Sequence, residues 1–188
     1  TYSVEETLRN FAGVRRAKRK IYLIGRIMAR RDQGGVVFLD LDDGTGKIQA
    51  VLHRNNVRDF SFWKENTDIG DFVEVGGLLF KTKRGEKSIE ARSVRMTSKS
   101  LRPVPKAFYG LEDVESRLRK RYLDLALRPE MREMFVKKAK FWNAFRAFLQ
   151  KEGFLEIETP VLESVPGGAE AEPFITRHNA LDTDYYLR

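Results

Sequence analysis

Phe38 and Gln49 are the residues of this 188-residue chain whose types and spacing come nearest to doing chemistry. In the run from Val36 to Asp42, Val37, Leu39 and Leu41 alternate onto one strand face, which turns Phe38 the other way with Asp40 and Asp42. In the next run Ile48, Ala50 and Leu52 alternate with Lys47, Gln49 and Val51, so pairing the two predicts Gln49 beside Phe38 on the outer surface. An aromatic ring on a polar face is a platform for an unpaired nucleobase, each stack contributing ~1–3 kcal/mol. A glutamine amide offers a donor and an acceptor, which reading one base edge requires. The chemistry that this pair could do is recognition of single-stranded nucleic acid. No catalytic residue and no metal ligand is assigned: the chain has no cysteine, and its two histidines, His53 and His178, are too isolated for a zinc site.

The elements that must carry this pair read as five strands and a helix. Ser3 and Glu6 have the spacing of a capping box for a short leading helix, and a basic stretch from Arg15 to Lys20 leads into the first strand. Strands are predicted over 21–31, 36–42, 47–52, 71–83 and 87–97, broken at Gly34-Gly35, Asp43-Gly44 and Arg84-Gly85. A helix is predicted over 57–65, with Phe60 and Trp63. Five strands with a helix between the third and fourth is the order of an OB-fold barrel, whose second and third strands bind oligonucleotides. An SH3-like barrel lacks that helix.

Charge supports the same reading. Residues 1–105 hold 21 Lys and Arg against 13 Asp and Glu, whereas 106–188 hold 14 of each, so the whole excess of +8 lies in the first half. A basic domain of this kind suits a polyanion, with nucleic acid the leading candidate. No apolar stretch approaches the ~18 residues of a membrane helix, so no membrane partner is expected. The absence of cysteine fits a reducing compartment, and the cytoplasm is the expected location.

The second half has a different grammar. Pro103 and Pro105 mark a linker, here bounded at 101–113, between a first domain at 1–100 and a second at 114–188. A short basic helix over 113–125 presents Arg117, Arg119, Lys120 and Arg121. Residues 129–152 then place Met131, Met134, Phe135, Phe141, Trp142, Phe145, Phe148 and Leu149 on one helical stripe, from Pro129 in the first turn to Gly153 as C-terminal cap. Phe154 to Glu158 alternates like a half-buried strand that ends at Thr159-Pro160.

A helix followed by Gly153-Phe154, Ile157 and Pro160 resembles motif 1 of the class II aminoacyl-tRNA synthetases. Arg121 to Leu125, Pro166 to Ala169, Pro173 to Thr176, His178 to Asp182 and Tyr186 to Arg188 follow in the order and spacing of the class II lysyl-tRNA synthetases. The resemblance implies an α+β architecture: a five-stranded OB-fold β-barrel, a linker, and the motif 1 helix and strand that start an antiparallel-sheet catalytic domain. It implies that Phe38 stacks on the central uridine of the tRNA-Lys anticodon, that Gln49 reads it, and that Arg30 and Arg31 supply the basic end of the first strand. It also implies that Pro160 sits at a homodimer interface and that the backbone of Gly168 approaches the amino group of lysine. ATP and Mg2+ are implied for the whole enzyme. None is expected bound to this piece, which is expected to be inactive alone because motifs 2 and 3 are missing from it. Two positions depart from the pattern: Ser93 stands where a glutamate is expected, and Glu172 where an arginine is expected. A non-catalytic RNA-binding module or synthetase paralogue, a domain fused to a different modifying enzyme, and an aspartyl or asparaginyl synthetase all remain compatible with these residues.

Overall fold

The computed structural model describes residues 2–102, 113–167 and 172–187. They fall into two compact units, 1–127 and 128–188.

In the first unit, strands β1 (Ile21–Asp32), β2 (Val36–Asp42), β3 (Lys47–His53), β4 (Phe72–Lys81) and β5 (Lys87–Ser98) close into a barrel in the order β1-β2-β3-β5-β4. All ladders are antiparallel except β3 with β5, and β4 returns to β1, so no edge is left open. Strict alternation fills the interior: Val37, Leu39 and Leu41 of β2 are fully buried, as are Leu23, Ile27, Leu52, Val73, Val75 and Ile89 from the other strands. Each such side chain contributes ~1.5–3 kcal/mol of burial. The helix between β3 and β4, α3 (Phe60–Asn66), starts three residues later than its apolar pattern suggests, because Asn55 to Asp59 are used in turns that bury Val57.

The leading segment forms two short helices, α1 (Val4–Arg9) and α2 (Phe11–Arg16). Both halves of the capping box are present: Ser3 Oγ accepts from Glu6 N–H at 3.2 Å, and Glu6 Oε2 accepts from Ser3 N–H at 3.1 Å. The bond from the Ser3 backbone holds the Glu6 carboxyl below its ordinary pKa. Asp43, in the β2–β3 turn, accepts from Val4 N–H at 2.8 Å, which ties α1 to the barrel where Val4 and Phe11 join the core.

The second unit begins with α6 (Pro129–Lys151), reached after two helical pieces of the first unit, α4 (Val114–Arg119) and α5 (Arg121–Leu127), where the sequence suggested one helix. Its ends match their signals. Pro129 opens the helix, and Gly153, at φ 88°, closes it in a Schellman motif: Gly153 N–H donates to Gln150 O at 3.1 Å and Phe154 N–H to Leu149 O at 3.0 Å. No residue of α6 is buried. Strands β6 (Leu162–Glu163), β7 (Ile175–His178) and β8 (Thr183–Leu187) form an antiparallel sheet in the order β6-β8-β7.

One expectation is corrected here. Phe154 to Glu158 forms no strand, and residues 154–160 run as irregular chain before β6. Alternation alone does not make a ladder, and among the described residues no strand pairs with this segment. The linker prolines Pro103 and Pro105, together with Gly168, Glu170 and Arg188, lie outside the described residues.

Candidate nucleic-acid interface

The site is built where β1, β2 and β3 run side by side. Phe38 pairs with Val51 and Asp40 with Gln49, and paired residues share a face, so Phe38 and Gln49 are diagonal neighbours on the same side of the sheet. What decides the third member is an irregularity in β1. Ile21, Leu23 and Ile27 point inward with a period of two until the register with β2 shifts between Ile27 and Ala29. The extra residue inverts the parity of everything that follows. Arg31 is thereby set opposite Phe38, on the outer face, while Arg30 is set opposite Leu39, on the core side.

Arg31, Phe38 and Gln49 line one pocket of about 410 Å³ with Gln33, Thr82, Lys83, Arg84 and Glu86. The last four belong to the turn between β4 and β5, so this basic turn is part of the pocket wall. The Arg31 guanidinium lies 5.8 Å from the centroid of the Phe38 ring and 3.4 Å from an Asp40 carboxylate oxygen. A planar base entering the pocket therefore meets a half-exposed ring, an amide and three cations in one opening.

Gln49 departs from its expected place on the outer surface. It is only 5% exposed, because Ser88, its partner in the parallel β3–β5 ladder, abuts it, and Ser88 Oγ donates to Gln49 Oε1 at 3.3 Å. One lone pair of Oε1 is engaged within the protein, which leaves the second lone pair and the amide NH2 as the groups to offer a ligand. Arg30 is not brought into the pocket at all. Its guanidinium donates to the Lys64 carbonyl of α3, and its Nε is buried without a hydrogen-bond partner in the structure. Pro160 is exposed in the irregular chain after α6.

Other residues singled out from sequence have structural partners. Arg117 and Arg121 converge on the fully buried Asp124 carboxylate at 3.2 and 2.7 Å, so Arg117 ties α4 to α5 and Arg121 pairs with Asp124 within α5. Glu90, beside the Ser93 departure, accepts from Asn56 at 3.0 Å and from Arg92 at 2.8 Å. His178 Nδ1 accepts from Leu181 N–H at 3.3 Å, as a hydrogen-bonded turn residue. Glu172 is exposed, and nothing in the structure explains its departure. The sequence marks Arg84-Gly85 as a strand break, and nothing local in it points to Gln33, Thr82, Lys83 or Glu86 as pocket residues. No local signal places a β4–β5 turn over a β1–β3 face.

With this geometry in hand, comparison with known proteins is specific. Residues 21–97 match the family model described as OB-fold nucleic acid binding domain, and 113–188 match the model for class II tRNA synthetases (D, K and N). The chain belongs to the class II tRNA synthetases. It is 47% identical over 189 residues to the lysine–tRNA ligase of Pelotomaculum thermopropionicum, a match spanning 100% of this chain and 37% of that protein. The lysine–tRNA ligase of Xanthomonas campestris is 47% identical over 172 residues, 92% of this chain and 34% of its own length, and that of Dehalococcoides mccartyi is 46% identical over 172 residues, 91% and 34%. The chain thus spans about a third of the length of these curated relatives.

Proposed function

We propose that this chain supplies anticodon recognition and the first dimerisation elements of a lysine–tRNA ligase. The observation that carries the reading is the convergence of Arg31, Phe38 and Gln49 on one pocket, in a barrel joined to a class II synthetase segment. Phe38 stacks on the central uridine, the Gln49 amide donates to its edge, and Arg31 with Lys83 and Arg84 takes flanking phosphates. Arg30 acts indirectly, by holding the end of β1 against α3.

The remaining assignments belong to the same proposal. The partner is tRNA-Lys in the cytoplasm, and the substrates of the whole enzyme are lysine and ATP with Mg2+. ATP supplies activation of the lysine carboxylate, and the Gly168 backbone approaches the lysine amino group. Two copies join through the apolar stripe of α6 and the segment around Pro160.

The test is binding to anticodon stem-loops carrying UUU, GUC and CCC at one salt concentration, since phosphate contacts make affinity steeply salt-dependent. Preference for UUU is expected. Phe38→Ala should weaken binding of the two loops with a central uridine, UUU and GUC, by ~1–3 kcal/mol, the range for one stacked base, and Gln49→Ala should erase the discrimination against CCC. Equal binding to all three loops, unchanged in both variants, would leave a basic barrel without anticodon specificity.

A further inference from the structure

The basic run between α2 and β1 has no part in the anticodon pocket. Arg15, Arg16, Lys18, Arg19 and Lys20 are all exposed, and among the described residues none is ion-paired to a carboxylate. The acidic side chains closest in sequence are already engaged, Glu5 with Arg9 at 2.8 Å and Glu6 with Ser3 N–H at 3.1 Å. Complementing the C-terminal end of α2 accounts for Arg15 and Arg16. It does not account for the three cations that follow.

Two further observations point to a ligand. Tyr2 and Tyr22 are 39% and 40% exposed, and each lies beside one of these cations: Arg19 at 5.6 Å from the Tyr2 ring centroid, Lys20 at 5.1 Å from that of Tyr22. The Tyr22 ring is laid across the sheet over Gly76, where a Cβ would come within 2.6 Å of its Cε1, so glycine keeps that platform seated. Lys18 has φ 48°, a left-handed conformation just past a helix end that glycine or asparagine adopts most readily. A lysine there keeps a charge at a conformational cost.

Unpaired cations beside seated, half-exposed rings are the composition of a sequence-independent nucleic-acid surface. We propose that Lys18, Arg19 and Lys20, with Tyr2, Tyr22 and the end of α2, form a second RNA-contact face that takes phosphate backbone outside the anticodon loop. It lies at the opposite end of β1 from Arg31 and does not depend on the anticodon reading.

The test uses this chain with a full-length tRNA-Lys transcript and with an anticodon stem-loop alone, titrated across salt. Lys18→Gln, Arg19→Gln and Lys20→Gln combined should weaken tRNA binding about tenfold or more. The slope of log affinity against log salt should become shallower by about 2, since each lost phosphate contact removes ~0.7–0.9. The preference among UUU, GUC and CCC loops should be unchanged, whereas Gln49→Ala should lose the discrimination against CCC and keep the slope, so the two readings fail separately. Lys18→Gly should raise the unfolding midpoint while weakening tRNA binding. Unchanged tRNA affinity and slope in both variants would overturn the proposal. So would loss of binding to anionic phospholipid vesicles with RNA binding intact.

Discussion

The two units of this chain solve the same problem in opposite ways. The barrel, 21–98 with its leading helices, closes its ladder on itself and buries an apolar core built from every strand. The second unit holds a helix that opens on Pro129 without a side-chain cap, closes at Gly153 and has no buried residue, while Phe141, Trp142, Phe145 and Phe148 are 63%, 45%, 49% and 60% exposed. Pro129 at its start, the Gly153 cap at its end and intrahelical hydrogen bonds define where α6 begins and ends, but they do not supply the burial from which helices in proteins draw most of their stability. A soluble surface rarely leaves so large a contiguous apolar patch without a partner. The barrel is thus a compact unit by its own packing, whereas the second unit carries an apolar stripe that it does not itself bury.

Three perturbations would break or sharpen that contrast. The largest effect belongs to the barrel core: Leu39→Ala, at a fully buried position, should cost ~2–5 kcal/mol in a denaturant titration. A loss under 1 kcal/mol would mean that the interior is not packed as described.

Asp71 comes next. Burial pushes its pKa up, but hydrogen bonds from Lys99 and from the Asp68 and Ser100 N–H groups outweigh that and leave it below the ordinary aspartate value. Asp43 is shifted the same way, burial again being opposed by donors on Val4, Thr45 and Gly46. A carboxylate whose pKa is lower folded than unfolded binds fewer protons in the folded state. Its stabilisation is therefore full above the unfolded value and is lost as pH falls through the folded one. Barrel stability should be flat from pH 7 to about 5 and fall below about 4, and Asp71→Asn should lower the plateau and shrink that acid loss. An acid limb identical to that of the unaltered chain would remove Asp71 from the account.

The smallest effect on stability should come from α6. Replacing Phe141, Trp142 and Phe145 together with serine should change barrel unfolding by no more than ~0.5 kcal/mol, since the sites are exposed. It should nonetheless reduce self-association in sedimentation velocity. Unaltered sedimentation over a wide concentration range would argue against the stripe as a contact surface.

Local rules were sufficient for much of the fold. The capping box at Ser3 and Glu6, the strand alternation that buries Val37, Leu39 and Leu41, and Pro129 and Gly153 at the ends of α6 all form as local physics requires. Each depends on residues within a few positions of one another, so the sequence alone could express them. That Phe38 and Gln49 share one face was also legible, because two alternating runs with both apolar faces inward leave the intervening residues together on the other face.

The remaining features depended on contacts between distant segments. Whether Arg30 or Arg31 faces the pocket turns on one extra residue in β1, and a period-two reading has no means of seeing a bulge before the strands are paired. Gln49 is buried because Ser88, in a parallel ladder 39 residues away, abuts it. Phe154 to Glu158 has the pattern of a strand and no ladder to join. Sequence by itself therefore determined the elements and the chemistry available on their faces. Tertiary structure decided which of those groups are spent on the protein and which stay open to a ligand, because hydrogen bonds and burial are settled by partners brought together only in the closed barrel.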